Sequence, residues 1–498
     1  MPAPLETRVT DHDLIAGADL NRAVDALFVN APLRDYDQRA RVNDYTLPVL
    51  GLGYIATYAK EHGGFNVGVL DAEAHGLGIQ RVADIINAIR PRWAGFNLLA
   101  PTYSISARIA ALLNPDILVM AGGHHAKAAF DLVLHDPRFR HLTALIIGEG
   151  ETRVSALLDD ARDRAHLPKV MWRDPLLGTT GCGIPSGPTQ PWLSPNINEL
   201  PFVNRAFLPQ DPYRAQDGRL EANLVCSRGC PYECGFCGAA ASVNPEVTIR
   251  TRSPLNILEE MDTLHDAYGT TAFRAVDDLF LGARRVIHPA METFTRARVG
   301  ERYVWDATGR INVLAREGDD MLRTLTANGL REVALGIESG SARMLEAMDK
   351  RITPEMTLTV TRRLLEHGIN VKGYFILGYP GESRQDASET IRHVHELWTL
   401  SDRLPGTFRA SVFTFRPYPG SPVWNDLVNQ GYDPQQMQSY SDVDLTDHGA
   451  DEAMRGRDEF NFTTGLQFGE LDLDELNQHL AALSREQYQR THGHGAAA

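Results

Sequence analysis

Short apolar runs alternate with helix-like amphipathic stretches along two long regions of this chain. From about residue 20 to 165 the apolar runs are Asp25-Ala-Leu-Phe-Val-Asn30, Asn66-Val-Gly-Val-Leu-Asp71, Trp93-Ala-Gly-Phe-Asn97, Ile117-Leu-Val-Met-Ala121 and Ala144-Leu-Ile-Ile-Gly148. Continuous apolar runs of this length, separated by helical periodicity, predict parallel strands buried on both faces beneath helices. The expectation for residues 1–165 is a doubly wound α/β domain. Ligands of such sheets bind outside the carboxyl ends of the strands, near the point where strand order reverses. Glycines follow two of these strands, in Gly122-Gly123-His124-His125 and Gly148-Glu149-Gly150-Glu151. Glycine lets a backbone approach a ligand closely. It also makes an ordinary tight turn from strand to helix, and the pattern alone leaves both readings open.

The second region, 216–425, repeats the strand–helix rhythm. Its expected strands are Leu224-Val-Cys226, Phe273-Arg-Ala-Val-Asp277-Asp278, Tyr303-Val-Trp-Asp306 leading to Thr308 and Arg310, Glu332 to Gly340, Val371 to Glu382 and Ser411 to Gly420. Polar groups cluster at the carboxyl ends, which is how parallel barrels build a site. Residues 166–215 are rich in Pro, Gly and Thr, notably over 183–191, and are expected to form a linker. The tail, 426–498, is acidic before an amphipathic stretch around Leu471–Tyr488, and its last six residues are expected to be disordered. No internal repeat is present.

Composition narrows the class. The 498 residues imply about three domains at roughly 100–200 residues each. With 49 basic and 64 acidic side chains the net charge is −15, which argues against a broad nucleic-acid surface. No apolar run reaches the ~18 residues of a membrane helix. The first twenty residues carry Glu6, Asp11, Asp13 and Asp19 and no apolar signal core, so the expected location is the cytoplasm, with no nucleic acid and no membrane as partner.

Four of the five cysteines fall in Cys226-Ser-Arg-Gly-Cys230-Pro-Tyr-Glu-Cys234-Gly-Phe-Cys237. One local cluster in a long chain is not a disulfide framework. Four thiolates can close a tetrahedral zinc shell, but zinc ribbons present two separated Cys-x2-Cys pairs and this chain has one such pair. Thiolates at this spacing also hold iron–sulfur clusters. Cys226 is expected to pack at a strand end, with a substrate-side thiol as the alternative, and Cys182 has no assigned role.

Cys230, Cys234, Phe236 and Cys237 match the signature of the radical SAM enzymes, Cys-x3-Cys-x2-Cys with an aromatic residue before the last cysteine. The chain resembles that family across 216–425, with Gly-Ile-Glu-Ser-Gly, Gly-Tyr-Pro-Gly-Glu and Pro-Tyr-Pro-Gly-Ser-Pro following in order. The resemblance implies a partial six-unit (β/α) barrel. It implies a [4Fe-4S] cluster on Cys230, Cys234 and Cys237 whose open iron chelates S-adenosylmethionine, and reductive cleavage to a 5′-deoxyadenosyl radical. It places Phe236, Asp277, Asp278, Arg310, Glu338, Ser339, Ile376 and Gly378 at S-adenosylmethionine, with Asp277 and Asp278 near its amino group and Glu338 and Ser339 near its ribose or methionyl group. Arg310 is a candidate for its carboxylate, with Asp306 as an equally good partner. The 376–378 stretch is placed at the adenine. Tyr374 and Tyr418 are candidate substrate contacts or hydrogen-atom donors, with a core position as the alternative.

The first region is similar to the Rossmann-like cobalamin-binding domain that precedes this core in the B12-type subfamily. The matching stretches are Pro48 to Ala56, Gly122-Gly123-His124 and Gly148-Glu149-Gly150-Glu151. That likeness implies cobalamin beside Gly122, Gly123, His124, Gly148 and Glu149. The histidine motif Asp-x-His-x-x-Gly is absent; the nearest stretch, Asp71-Ala-Glu-Ala-His75-Gly76, has other spacing. Two activities on a small-molecule substrate follow from the family: cobalamin-dependent C-methylation, or a cobalamin-independent dehydration, rearrangement or epimerisation, as of an amino-sugar diol. A flavodoxin- or ferredoxin-type electron donor is implied in both. An RNA-modifying methylthiotransferase and a zinc-stapled corrinoid carrier are weaker readings, the first because the chain is acidic and lacks cysteines near its N-terminus.

Overall fold

A computed structural model of the protein describes residues 11–38, 41, 48–173, 179–183, 196–215, 217–239, 250–440 and 464–492. Most of 183–191 and the terminal six residues therefore lie outside the described residues. The chain divides into two units at Gln210/Asp211.

The first unit holds a sheet of β1 (Ile15–Ala16), β2 (Ala26–Asn30), β3 (Val67–Asp71), β4 (Trp93–Asn97), β5 (Leu118–Gly122), β6 (Leu142–Ile146), β7 (Val170–Arg173) and β8 (Thr180–Cys182). Their order is β1-β3-β2-β4-β5-β6-β7-β8. The five strands β2 to β6 are parallel, and β1, β7 and β8 add antiparallel edges. Strand order reverses between β2 and β4, which sets the ligand crevice of a doubly wound sheet at their carboxyl ends. The core fits the apolar runs: Leu27, Val29, Leu70, Ala94, Ile85 and Ile86 are fully enclosed. The segment expected as a linker instead supplies β7 and β8 to this sheet.

The second unit carries β9 (Tyr213–Arg214), β10 (Leu220–Leu224), β11 (Ser227–Arg228), β12 (Arg250–Thr251), β13 (Ala272–Ala275), β14 (Val304–Gly309), β15 (Leu330–Glu338), β16 (Asn370–Leu377) and β17 (Phe408–Thr414). The main sheet runs β17-β16-β15-β14-β13-β10-β9. All neighbours pair in parallel except β9 with β10. It is the six-unit partial barrel, and among the described residues its edge strands β9 and β17 do not pair. The helices start on conventional caps: Ser253 and Thr353 precede Pro at the first helical position, and Ser383 with Asp386 forms a capping box.

Along β15, Val333, Leu335 and Ile337 are buried in the main core, while Glu332, Gly336 and Glu338 occupy the alternate positions. The amphipathic tail is the helix Leu473–His492, which buries Leu476, Leu480 and Leu483 in that core. Its Gln487 Oε1 accepts the Trp398 indole N–H at 3.0 Å and the Ala410 backbone N–H of β17 at 2.7 Å. Among the described residues no helix is long and apolar enough to cross a membrane.

Candidate active site

The cysteine segment begins where β10 ends. Cys226 is buried in the main core and is not exposed to the loop that follows. Burial drives its thiol well above the ordinary range, which suits an inert packing residue. The loop itself is stitched to later parts of the unit. Gly235 N–H donates to Met348 O at 2.9 Å, and Val423 N–H donates to Gly235 O at 3.0 Å. Phe236 and Ile376 lie on an apolar cluster that includes Met344, Met348, Tyr379 and Phe415.

Three thiols share one electrostatic environment. Burial pushes Cys237 up to about 12, and Cys234 and Cys230 add to that rise. Burial also raises Cys230, against the pull of the Arg310 guanidinium, while Asp278 and Cys234 push with it. Three cysteine thiols that feel one another's charge, with Arg310 beside them, are a donor set of the type that holds an iron–sulfur cluster.

Arg310 is the cation. Its Nη1–H donates to Cys234 Sγ at 3.6 Å and its Nη2–H to Lys350 O at 3.0 Å. The guanidinium lies 3.4 Å from the Tyr232 ring centroid. The alternative partner is taken: Asp306 accepts from Arg331 at 2.8 and 2.5 Å. Arg310 Nε is buried without an acceptor, leaving one N–H for a bound group.

The two acids after β13 part company. Asp277 is buried with both oxygens engaged, to the Cys226 N–H and the Ser227 hydroxyl. Asp278 is exposed, and its charge reaches Cys230 and Cys237. Asp277 thus braces the start of the loop, and Asp278 is the carboxylate free to meet a ligand.

Glu338 and Ser339 also diverge. Ser339 is fully buried; its hydroxyl pairs with Thr390 Oγ1 at 2.8 Å and accepts the Ser341 N–H at 3.1 Å. It supports the turn and is not among the residues that line the cavity described below. Glu338 has a left-handed backbone, φ +68°, and holds Lys350 Nζ at 2.6 Å. Gly336 makes room for this pair, since a Cβ there would sit 2.5 Å from Lys350 Nζ.

A cavity of about 250 Å³ opens at the carboxyl ends of β15, β16 and β17, lined by Phe236, Glu338, Tyr374, Ile376, Thr414 and Tyr418 together with Phe413, Phe415 and Arg416. It brings the cluster loop's aromatic residue together with four other sequence-predicted positions. Gly378 stands just beyond, its N–H donated to Glu382 at 2.5 Å, and burial pushes that carboxyl up to about 7. Lys350, Phe413 and Arg416 were not foreseen. Lys350 sits in a tight turn with left-handed residues on both sides, Asp349 and Arg351, and no spacing rule singles it out.

In the first unit, Gly122 ends β5 and Gly123 turns into the short helix at His124 with φ +101°. A Cβ on Gly123 would lie 2.5 Å from Asn97 Oδ1 and 2.8 Å from Leu98 O, so the tight turn accounts for this glycine. Gly148 and Glu149 follow β6, and the Glu149 carbonyl accepts Arg153 Nη1–H at 2.6 Å. Gly122, Gly123, His124, Gly148 and Glu149 are all at least partly exposed, so the strand-end rim is open to a ligand. His75 is exposed, and its backbone N–H donates to the Asp71 carbonyl at 3.2 Å; Asp71 Oδ1 accepts from Asn30 and from the Ala74 N–H. No histidine stands here at the spacing of the usual cobalt-binding motif.

Comparison with known proteins agrees with both units. Residues 224–394 match the Radical SAM superfamily model and residues 40–158 match the B12 binding domain model. The chain belongs to the radical SAM enzymes that carry a B12-binding domain. It is 28% identical over 394 residues to the uncharacterized methyltransferase PH0819 of Pyrococcus horikoshii, covering 78% of this chain and 80% of that protein. It is 27% identical over 439 residues to cytidylyl-2-hydroxyethylphosphonate methyltransferase of Streptomyces wedmorensis, covering 78% and 79%. Among solved structures, the radical S-adenosylmethionine methyltransferase TsrM of Kitasatospora setae, with cobalamin and a [4Fe-4S] cluster bound, superposes with TM-score 0.59 at 16% identity, over 82% of this chain and 75% of that one. At that identity the likeness establishes the fold. Family membership makes this chain a radical SAM enzyme, and a [4Fe-4S] cluster and S-adenosylmethionine are its cofactors.

Proposed function

We propose that this enzyme is a cobalamin-dependent methyltransferase that acts on a small molecule, with S-adenosylmethionine held against the cavity at the ends of β15, β16 and β17 and the substrate on its Tyr374 and Tyr418 side. The observation that carries this reading is that two relatives, each matching 78% of the chain at 27–28% identity, are named methyltransferases; two anaerobic magnesium-protoporphyrin IX monomethyl ester cyclases match 76% and 77% of it at the lower identities of 23% and 21%. The cobalamin-independent dehydration or rearrangement has no comparable support.

When bound, the cluster supplies one-electron cleavage of a sulfonium, and cobalamin supplies methyl carriage. The chain's own residues do the positioning. Cys230, Cys234 and Cys237 are the cluster ligands. Phe236 and Ile376, with Gly378 behind them, offer an apolar face to the adenine. Glu338, fixed by Lys350, accepts from the ribose hydroxyls. Asp278 meets the amino group. Tyr374 and Tyr418 face the substrate side, and the aromatic lining of Phe413 and Phe415 keeps water from the reacting centre. Gly122, Gly123, His124, Gly148 and Glu149 form the corrinoid rim. A flavodoxin- or ferredoxin-type protein delivers the electron.

Anaerobic purification with metal and corrinoid analysis tests the reading. About four irons and four sulfides per chain, with uptake of one cobalamin, are expected. Zinc in place of iron removes the radical chemistry, and four irons with no corrinoid uptake removes methyl transfer.

A further inference from the structure

We propose that Arg310 is a positioning residue for the iron–sulfur centre: it steadies the Cys234 sulfur and raises the reduction potential of the cluster that this sulfur ligates. The inference rests on the cysteine ligands of the proposed function, but not on cobalamin or on the substrate.

Three observations converge on it. First, the guanidinium is held in one place. Tyr232, inside the cysteine segment, stacks on its face at 3.4 Å, and Lys350 O anchors Nη2 at 3.0 Å. Lys350 is in turn fixed by Glu338. The planar fork is therefore pre-organised, as a lysine would not be. Second, Nη1–H points at Cys234 Sγ, at 3.6 Å. Third, the charge is poorly screened. Arg310 is only 7% exposed, and among the described residues no carboxylate lies within ion-pair distance of it, because Asp306 is engaged by Arg331 and Arg274.

The physical consequence concerns the electron. The Sγ atom of Cys234 stands for a cluster-ligating thiolate. Reduction by an external donor adds one negative charge to the cluster and its thiolates. A buried cation and an N–H donor at one sulfur stabilise the reduced form more than the oxidised form.

The carboxylate of S-adenosylmethionine is the rival partner for Arg310, so the test is made without S-adenosylmethionine, corrinoid or substrate. The full-length protein carrying its cluster is titrated with dithionite while electron paramagnetic resonance follows the reduced cluster. R310Q with a full iron complement is expected to lower the ratio of reduced to oxidised cluster about tenfold at fixed poise, a shift of 59 mV for a one-electron couple. R310K, which keeps the charge and loses the fork, is expected to fall between. An unchanged potential in R310Q, with weaker binding of S-adenosylmethionine, overturns the proposal and assigns Arg310 to the carboxylate. Should R310Q fail to hold iron, R310K decides: a lowered potential supports the proposal and an unchanged one overturns it. Neither result depends on whether methyl transfer is the reaction.

Discussion

Asp277 Oδ1 accepts the backbone N–H of Cys226 at 2.6 Å, and its Oδ2 accepts the Ser227 hydroxyl at 2.9 Å. The end of β13 is thereby tied to the root of the cysteine loop. Burial pushes this carboxyl up to about 7 from an ordinary 3.8. Between those values the folded protein holds a proton that the unfolded chain releases. Stability therefore falls as pH rises from about 4 to about 7 and levels off above. In D277N that contribution is absent, and denaturant midpoints followed across the window should lose part of their slope; an unaltered slope would place the titration elsewhere. D277A orphans two buried donors, at about 1–3 kcal/mol each.

The two buried cysteines of the segment should behave differently. C234A is expected to abolish release of deoxyadenosine and methionine by dithionite-reduced enzyme. C226A removes a sulfur from a packed core and should keep most of that cleavage, with a stability loss of about 1 kcal/mol. Equal, complete loss in both would put Cys226 among the ligands.

Lys350 and Glu338 are a pair with side chains 9% and 7% exposed. Removing one partner strands the other charge, so K350M should cost about 3–5 kcal/mol. The double variant K350M/E338Q should recover much of the fold, while remaining weak for S-adenosylmethionine in equilibrium binding. If K350M alone unfolds no more readily than the parent protein, the pair is not the brace described.

Gly123 has φ +101° and ψ −179°, a region that is essentially glycine-only. G123A adds strain of about 1–3 kcal/mol and a contact with Asn97. Corrinoid uptake, read by absorbance, should drop while iron content stays at the parent level. A loss of iron with normal corrinoid uptake would contradict the placement of the rim.

Much of this architecture was legible because burial on both faces writes itself as unbroken apolar runs. Trp93–Asn97 is a strand over the same residues that the pattern gives, β2 and β3 start one residue later, and β5 is shifted by one residue at both ends. The strand before the cysteines was placed too late. In Leu220-Glu-Ala-Asn-Leu224, Glu221 and Asn223 alternate with the apolar residues, and their partners, Arg331 for Glu221 and Asp211 for Asn223, are remote in sequence. The strands β1, β7, β8, β11 and β12 span only two to four residues each, too short to carry a periodicity. At the site, the cysteines, Phe236, Glu338 and Ile376 were visible because motifs fix them. The division of labour between Asp277 and Asp278, or Glu338 and Ser339, was not. Adjacent residues point to opposite sides of a strand end, and only the fold says which side is packed.

The helix Leu473–His492 does more than fill space beside β17. Gln487 satisfies an amide on the outermost strand of a sheet that never closes. A chain ending before Leu473 would offer that strand, with the apolar patch left by Leu476, Leu480 and Leu483, as a template for self-association. Trimming this helix should therefore turn a well-behaved protein into a precipitating one before it touches catalysis.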